Sequence, residues 1–110
     1  MTELSDPNYQ KSQRARLRIH GRVQGVFYRK SAEEKANSLG LSGWVRNMED
    51  GSVEAFVLGP SDVIETFASW CKTGPSGARV DTVDLVWKEA VGDADEEVES
   101  GSRFRVSGHW

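Results

Sequence analysis

Apolar and polar residues alternate without a break from position 15 to 23. Ala15, Leu17, Ile19, Gly21 and Val23 fall on one side, and Arg16, Arg18, His20 and Arg22 on the other. A period of two belongs to a strand with one buried face, so a strand is predicted over residues 15–23. Beyond Gly25 the spacing becomes helical. Tyr28, Ala32, Ala36 and Leu39 recur on one face, Lys30, Glu33, Glu34 and Asn37 lie elsewhere, and Gly40 stands where a helix C-cap is needed. Residues 24–29 therefore straddle a helix N-terminus.

The pattern continues with short elements. Residues 42–46 read as a second strand and 52–58 as a third, in which Val53, Ala55 and Val57 alternate with Ser52, Glu54 and Phe56. Between them, Asn47-Met48-Glu49-Asp50-Gly51 carries the Asp-Gly signal of a hairpin connection. A second helix follows Gly59-Pro60, capped by Ser61 or Asp62, with Asp62 and Glu65 at capping-box spacing. Its apolar stripe is Val63, Ile64, Phe67, Trp70 and Cys71, and Gly74-Pro75 stops it. A fourth strand is expected over 79–87 with Val83, Leu85 and Trp87 inward, and a last short one over 103–107 with Phe104 and Val106 inward. This order is βαββαβ with one added short strand. It predicts a ferredoxin-like α/β (α+β) two-layer sandwich, an antiparallel sheet with two helices on one face. Enzymes, metabolite sensors and RNA-binding modules all use that plan, so function has to come from a site.

Composition bounds the answer. A length of 110 residues suits one domain. Residues 1–13 are polar and are expected to be a flexible tail, leaving 14–110 as the domain and 88–102 as an acidic loop. No apolar run approaches the roughly 18 residues of a membrane span, and the N-terminus lacks the basic and apolar regions of a signal peptide. The lone Cys71 cannot form an intrachain disulfide, which fits a reducing cytoplasm. Its place on the apolar stripe reads as core. Net charge is −3, but Glu89, Asp93, Asp95, Glu96, Glu97 and Glu99 hold six negatives with no cation among them, so the remainder sums to +3. A mildly basic body suits an anionic small molecule better than a polynucleotide.

The strand-to-helix joint is the candidate for binding one. Free N–H groups at a helix start, the dipole behind them, and a glycine that lets the backbone curl suit a phosphate-sized anion. Arg29 in the first turn opposes that dipole by a few tenths of a kcal/mol, and its pairing with Glu33 runs in the weaker direction. A guanidinium fork beside N–H donors could clamp two oxygens of a dianion. A solvated arginine on an ordinary joint fits the same spacing, and Asn47 by itself reads equally as a turn residue before Asp50-Gly51.

Other chemistry finds less support. The glycine loop lacks both the Gly-Lys-Ser/Thr ending of a nucleotide P-loop and the dinucleotide fingerprint. Asp93, Asp95 and Glu97 imitate an EF-hand, but Val98 and Phe104 stand where glycine and glutamate are required. His20 and His109 have no cysteine partners at metal spacing and no nucleophile motif around them. Arg18, His20, Arg79, Asp81 and Asp84 make a poor stacking platform for RNA.

The run Gly21-Arg22-Val23-Gln24-Gly25-Val26-Phe27-Tyr28-Arg29, followed by Gly43-Trp44-Val45-Arg46-Asn47 and then Gly51, Val53 and Gly59, resembles the paired signature of the acylphosphatases. The likeness runs from about Arg14 to Val106 and includes Gly77-Ala78-Arg79-Val80. It implies hydrolysis of the carboxyl-phosphate bond of a small-molecule acyl phosphate, giving a carboxylate and inorganic phosphate. By that resemblance Arg29 and the backbone amides of Gln24, Gly25, Val26, Phe27 and Tyr28 would hold the phosphoryl group, and Asn47 would position the attacking water. A cytoplasmic monomer with no cofactor, metal, nucleic-acid or membrane partner is expected. The alternative is a non-catalytic phosphate-sensing or carbamoyl-phosphate-handling module of the same fold. Two positions depart from the pattern: Tyr28, where phenylalanine or methionine is more usual, and Ala32, where many relatives carry a hydroxyl.

Overall fold

The alternation at the start of the chain builds β1 (Ser12–Arg22), with Ala15, Leu17 and Ile19 fully buried. In this computed structural model, which describes residues 12–88, 98 and 101–107, it is followed by α1 (Tyr28–Ser38), β2 (Ser42–Asn47), β3 (Val53–Pro60), α2 (Ser61–Cys71), β4 (Arg79–Lys88) and β5 (Arg105–Val106). Ser12 and Gln13, assigned above to the tail, pair with Pro60 and Gly59 and belong to β1. Residues 1–11 and most of the acidic loop lie outside the described residues.

The strands run β4-β1-β3-β2-β5 across one sheet. The first four are antiparallel to their neighbours, as expected. The last strand is shorter than predicted and runs parallel to β2, with Trp44 opposite Arg105 and Val45 opposite Val106. The reason is connectivity: the chain leaves β4 at one edge of the sheet and must return at the other.

Both helices pack against the face made by Leu17, Ile19, Val45, Val53, Ala55 and Val57. α1 contributes Tyr28, Ala32 and Ala36, and α2 contributes Ile64, Phe67 and Cys71. Large apolar side chains such as Ile64 and Phe67 each stabilise the fold by roughly 1.5–3 kcal/mol on leaving water completely, and an alanine methyl by less. α1 ends as its glycine predicts. Gly40, at φ 76°, donates to the Asn37 carbonyl and Leu41 to that of Ala36, the two bonds of a Schellman cap. α2 departs from expectation at its start. Pro60 is the N-cap, Ser61 is already helical, and no side chain caps the terminus, so Asp62 serves in the first turn instead. Burial also pushes the Cys71 thiol up to about 12, against a smaller lowering by its hydrogen bond with Tyr28. No helix among the described residues is long and apolar enough to cross a membrane.

The alternation expected for β3 is not seen as burial, because Val53 to Gly59 are all buried. The face away from the helices is covered by its own cluster of Trp44, Phe56, Leu58 and Val98. Trp87 moves the other way and is 41% exposed, since β4 is an edge strand.

Glu54 sits on that second face, 3% exposed, among three arginines. Arg16 Nη1 donates to its Oε2 at 3.0 Å, Arg46 Nε and Nη2 donate to Oε1 at 3.0 and 2.8 Å, and Arg18 Nη2 lies 3.5 Å from Oε2. Burial pushes the Glu54 carboxyl up, but the bonds and charges of Arg46 and Arg16 outweigh it and hold the group below the ordinary 4.5. A carboxyl that titrates lower when folded contributes stability above about pH 4.5. That contribution is lost as pH falls through the folded value. Glu54→Gln is therefore expected to cost about 1–3 kcal/mol at neutral pH and to flatten the acid side of the stability curve. Urea melts of both proteins at neutral pH and at about pH 3.5 check this. Equal pH dependence would assign acid unfolding to other carboxylates.

Candidate active site

Between β1 and α1 the backbone bends through 24–27 before the first helical residue, Tyr28. Gly25 has φ 76° and Phe27 φ 64°, the one non-glycine residue at positive φ among the described residues. Left-handed residues in such a bend turn successive N–H groups towards a common point, the geometry of an anion-binding nest. For phenylalanine that conformation costs about 1–2 kcal/mol. The helix start adds further donors. Its first intrahelical bond from this end runs from the Ser31 N–H to the Phe27 carbonyl at 3.0 Å, and the turn has neither a side-chain cap nor an acidic residue. Helix-start N–H groups lacking such partners are a site for an external anion.

Arg29 follows directly. Its Nη1 is buried and has no hydrogen-bond partner among the described residues. A buried charged donor left unpaired costs free energy unless a ligand completes it. Asn47 reaches the same place from the end of β2, where its backbone pairs with Val53 and its side-chain oxygen is shielded from solvent. A cavity of about 680 Å³ brings them together, lined by Gln24, Gly25, Phe27, Tyr28, Arg29 and Asn47, with Val23, Lys30 and Val106 completing the wall. Val26 is the predicted residue whose side chain does not line it. It packs instead on the core near Gly77.

Gln24 does more than a sequence reading assigns to it. Its Nε2 donates to the Met48 carbonyl at 2.8 Å and to the Ser52 carbonyl at 2.9 Å, tying the loop before α1 to the β2–β3 turn that follows Asn47. The turn is braced internally as well. Met48 N donates to the Ser52 carbonyl at 2.8 Å, and Asp50 Oδ1 accepts from Ser52 N at 2.9 Å and Ser52 Oγ at 2.5 Å. These Ser52 bonds, and more weakly the Arg18 charge, hold the Asp50 carboxyl below the usual carboxylate range. Tyr28 anchors the floor. Its hydroxyl donates to the Cys71 carbonyl at 2.8 Å and its ring lies 5.6 Å from that of Trp70, so the departure at this position has a buried partner of its own. Burial, then Cys71, raises its phenol above the ordinary range. Ala32, the other departure, is buried in the core.

Val23, Lys30 and Val106 line the cavity without having been predicted from sequence as site residues. Lys30 was available from its place beside Arg29 in the first turn. Val106 left no signal, because only the pairing of β5 with β2 brings it near.

Chemically, the cavity offers backbone N–H groups, the Arg29 guanidinium, the Lys30 ammonium and the carboxamides of Gln24 and Asn47, a set able to bind and orient a tetrahedral anion beside a polar nucleophile. The comparisons agree with that chemistry. The family model described as Acylphosphatase matches residues 15–100. An acylphosphatase of Azoarcus sp. is 58% identical over 69 residues, 63% of this chain and 70% of that protein. One of Roseiflexus sp. is 50% identical over 80 residues, 73% of this chain and 86% of that one. The solved structure of an acylphosphatase from Coxiella burnetii superposes with a TM-score of 0.76 at 33% identity, over 91% of this chain and 99% of that one.

Proposed function

The chain belongs to the acylphosphatase family, and from that premise we propose how its residues carry out the hydrolysis of acyl phosphates to a carboxylate and inorganic phosphate. Arg29 takes two oxygens of the phosphoryl group, and the backbone amides of Gln24, Gly25, Val26, Phe27 and Tyr28 surround the rest. The observation that carries this reading is the buried, unpartnered Nη1 of Arg29 on a cavity wall shared with an uncapped helix start. Charge that spreads over the equatorial oxygens in a loose transition state meets donors already in place.

Asn47 holds the water. Its carboxamide both accepts and donates, so it fixes the direction of attack without removing a proton, and the proton passes to a phosphate oxygen. A general acid is not required, because the departing carboxylate has a conjugate-acid pKa of about 4. Gln24 keeps the two halves in register by binding both carbonyls of the turn after Asn47. The protein acts as a cytoplasmic monomer on a small molecule, and neither a nucleic acid nor a membrane takes part in the reaction.

Phosphate release from benzoyl phosphate in the presence of EDTA tests the reading. Turnover is expected. Binding of phosphate with no turnover of any acyl phosphate would make the protein a sensor instead.

A further inference from the structure

An in-line displacement sets the attacking and departing oxygens on opposite sides of the phosphorus. With the water on Asn47, the acyl group leaves on the far side from the β2–β3 turn. Asn47 also lines a second cavity, of about 560 Å³, shared with Arg18, Arg46, Asp50 and Ser107. The acyl group is left with the part of the first cavity that the second does not share, a rim whose lining includes Phe27 and Lys30.

Phe27 is 81% exposed, more than Val86 at 56% or Trp87 at 41%. It also occupies a left-handed position, at φ 64°, where glycine would meet no steric cost. Neither core packing nor backbone conformation accounts for a large ring there. Lys30, 65% exposed in its side chain, already has its ammonium 3.5 Å from a carboxylate oxygen of Glu33, so this rim is neutral as a pair. Resting on the acylphosphatase reading above, we propose that the Phe27 ring is a specificity determinant. It packs on the acyl group and favours flat, apolar acyl groups over a small one or one carrying a second carboxylate. In the reading above the backbone N–H of the same residue binds the phosphoryl group, so one residue would serve both halves of the substrate.

The test compares kcat/KM for benzoyl, acetyl and succinyl phosphate in the native protein, Phe27→Ala and Phe27→Tyr. The native protein is expected to prefer benzoyl phosphate. In Phe27→Ala the benzoyl-to-acetyl ratio should fall about tenfold through loss of ring contact, and Phe27→Tyr, which keeps the ring, should retain it. A ratio discounts any general damage to the loop. An unchanged ratio in Phe27→Ala, or a native preference for succinyl phosphate, overturns the inference and leaves the acylphosphatase reading standing. Absence of turnover with all three substrates in the native protein overturns both.

Discussion

Arg29→Gln is expected to lose most turnover while the ligand-free protein stays as stable as before or gains up to about 1 kcal/mol. The gain has two sources: a cation leaves a first helical turn whose dipole it opposes, and an unpartnered buried charged nitrogen is removed. The loss is larger. A bidentate clamp on a doubly charged group contributes several kcal/mol to the transition state. Thermal melts with and without phosphate separate the two effects. A ligand bound only to the native state adds about 2.7 kcal/mol at a hundredfold excess over Kd, and the variant should show little of that shift. A variant that unfolds early without ligand, or keeps the full phosphate shift, would make Arg29 a structural residue and move the anion site elsewhere.

Asn47→Ala should act on a different part of the profile, lowering kcat by about two to three orders of magnitude. Its side chain is assigned to the water and hardly to the bound phosphate, so the phosphate-dependent rise in Tm should persist. The fold should tolerate the change. The backbone pairing of Asn47 with Val53 does not depend on the carboxamide, and the turn beyond it is held by Gln24, Asp50 and Ser52. An unchanged kcat would return Asn47 to the role of a turn residue. Together the two variants divide the site: one loses binding and turnover, the other turnover alone.

Local pattern carries most of the fold because its determinants lie within a few residues of each other. The period-two run over Ala15 to Val23 makes β1 a half-buried strand wherever it pairs. The 3.6-residue spacing of Tyr28, Ala32 and Ala36 selects the buried face of α1, and Gly40 supplies the left-handed residue its Schellman cap needs. The loop before α1 and Arg29 are legible for the same reason, since glycine, turn and helix start are contiguous. Asn47 is legible only through the family resemblance, because a turn residue and a water-orienting one look alike in isolation.

The sequence by itself thus determined the elements, the helix faces and the glycine-bearing loop before α1, all of which rest on local periodicity and backbone chemistry. Only the tertiary structure decided which distant residues meet. The order β4-β1-β3-β2-β5 gives β3 two covered faces and gathers Arg16, Arg18 and Arg46 around Glu54. It also places β5 beside β2, so that Val106 reaches the cavity. Gln24 and Tyr28 carry the same lesson, since one side chain binds carbonyls 24 and 28 residues away and the other a carbonyl 43 residues away. A hydrogen bond over such a span depends on how strands order and helices dock, and that depends on burial summed over the whole sheet, which no short window of sequence contains.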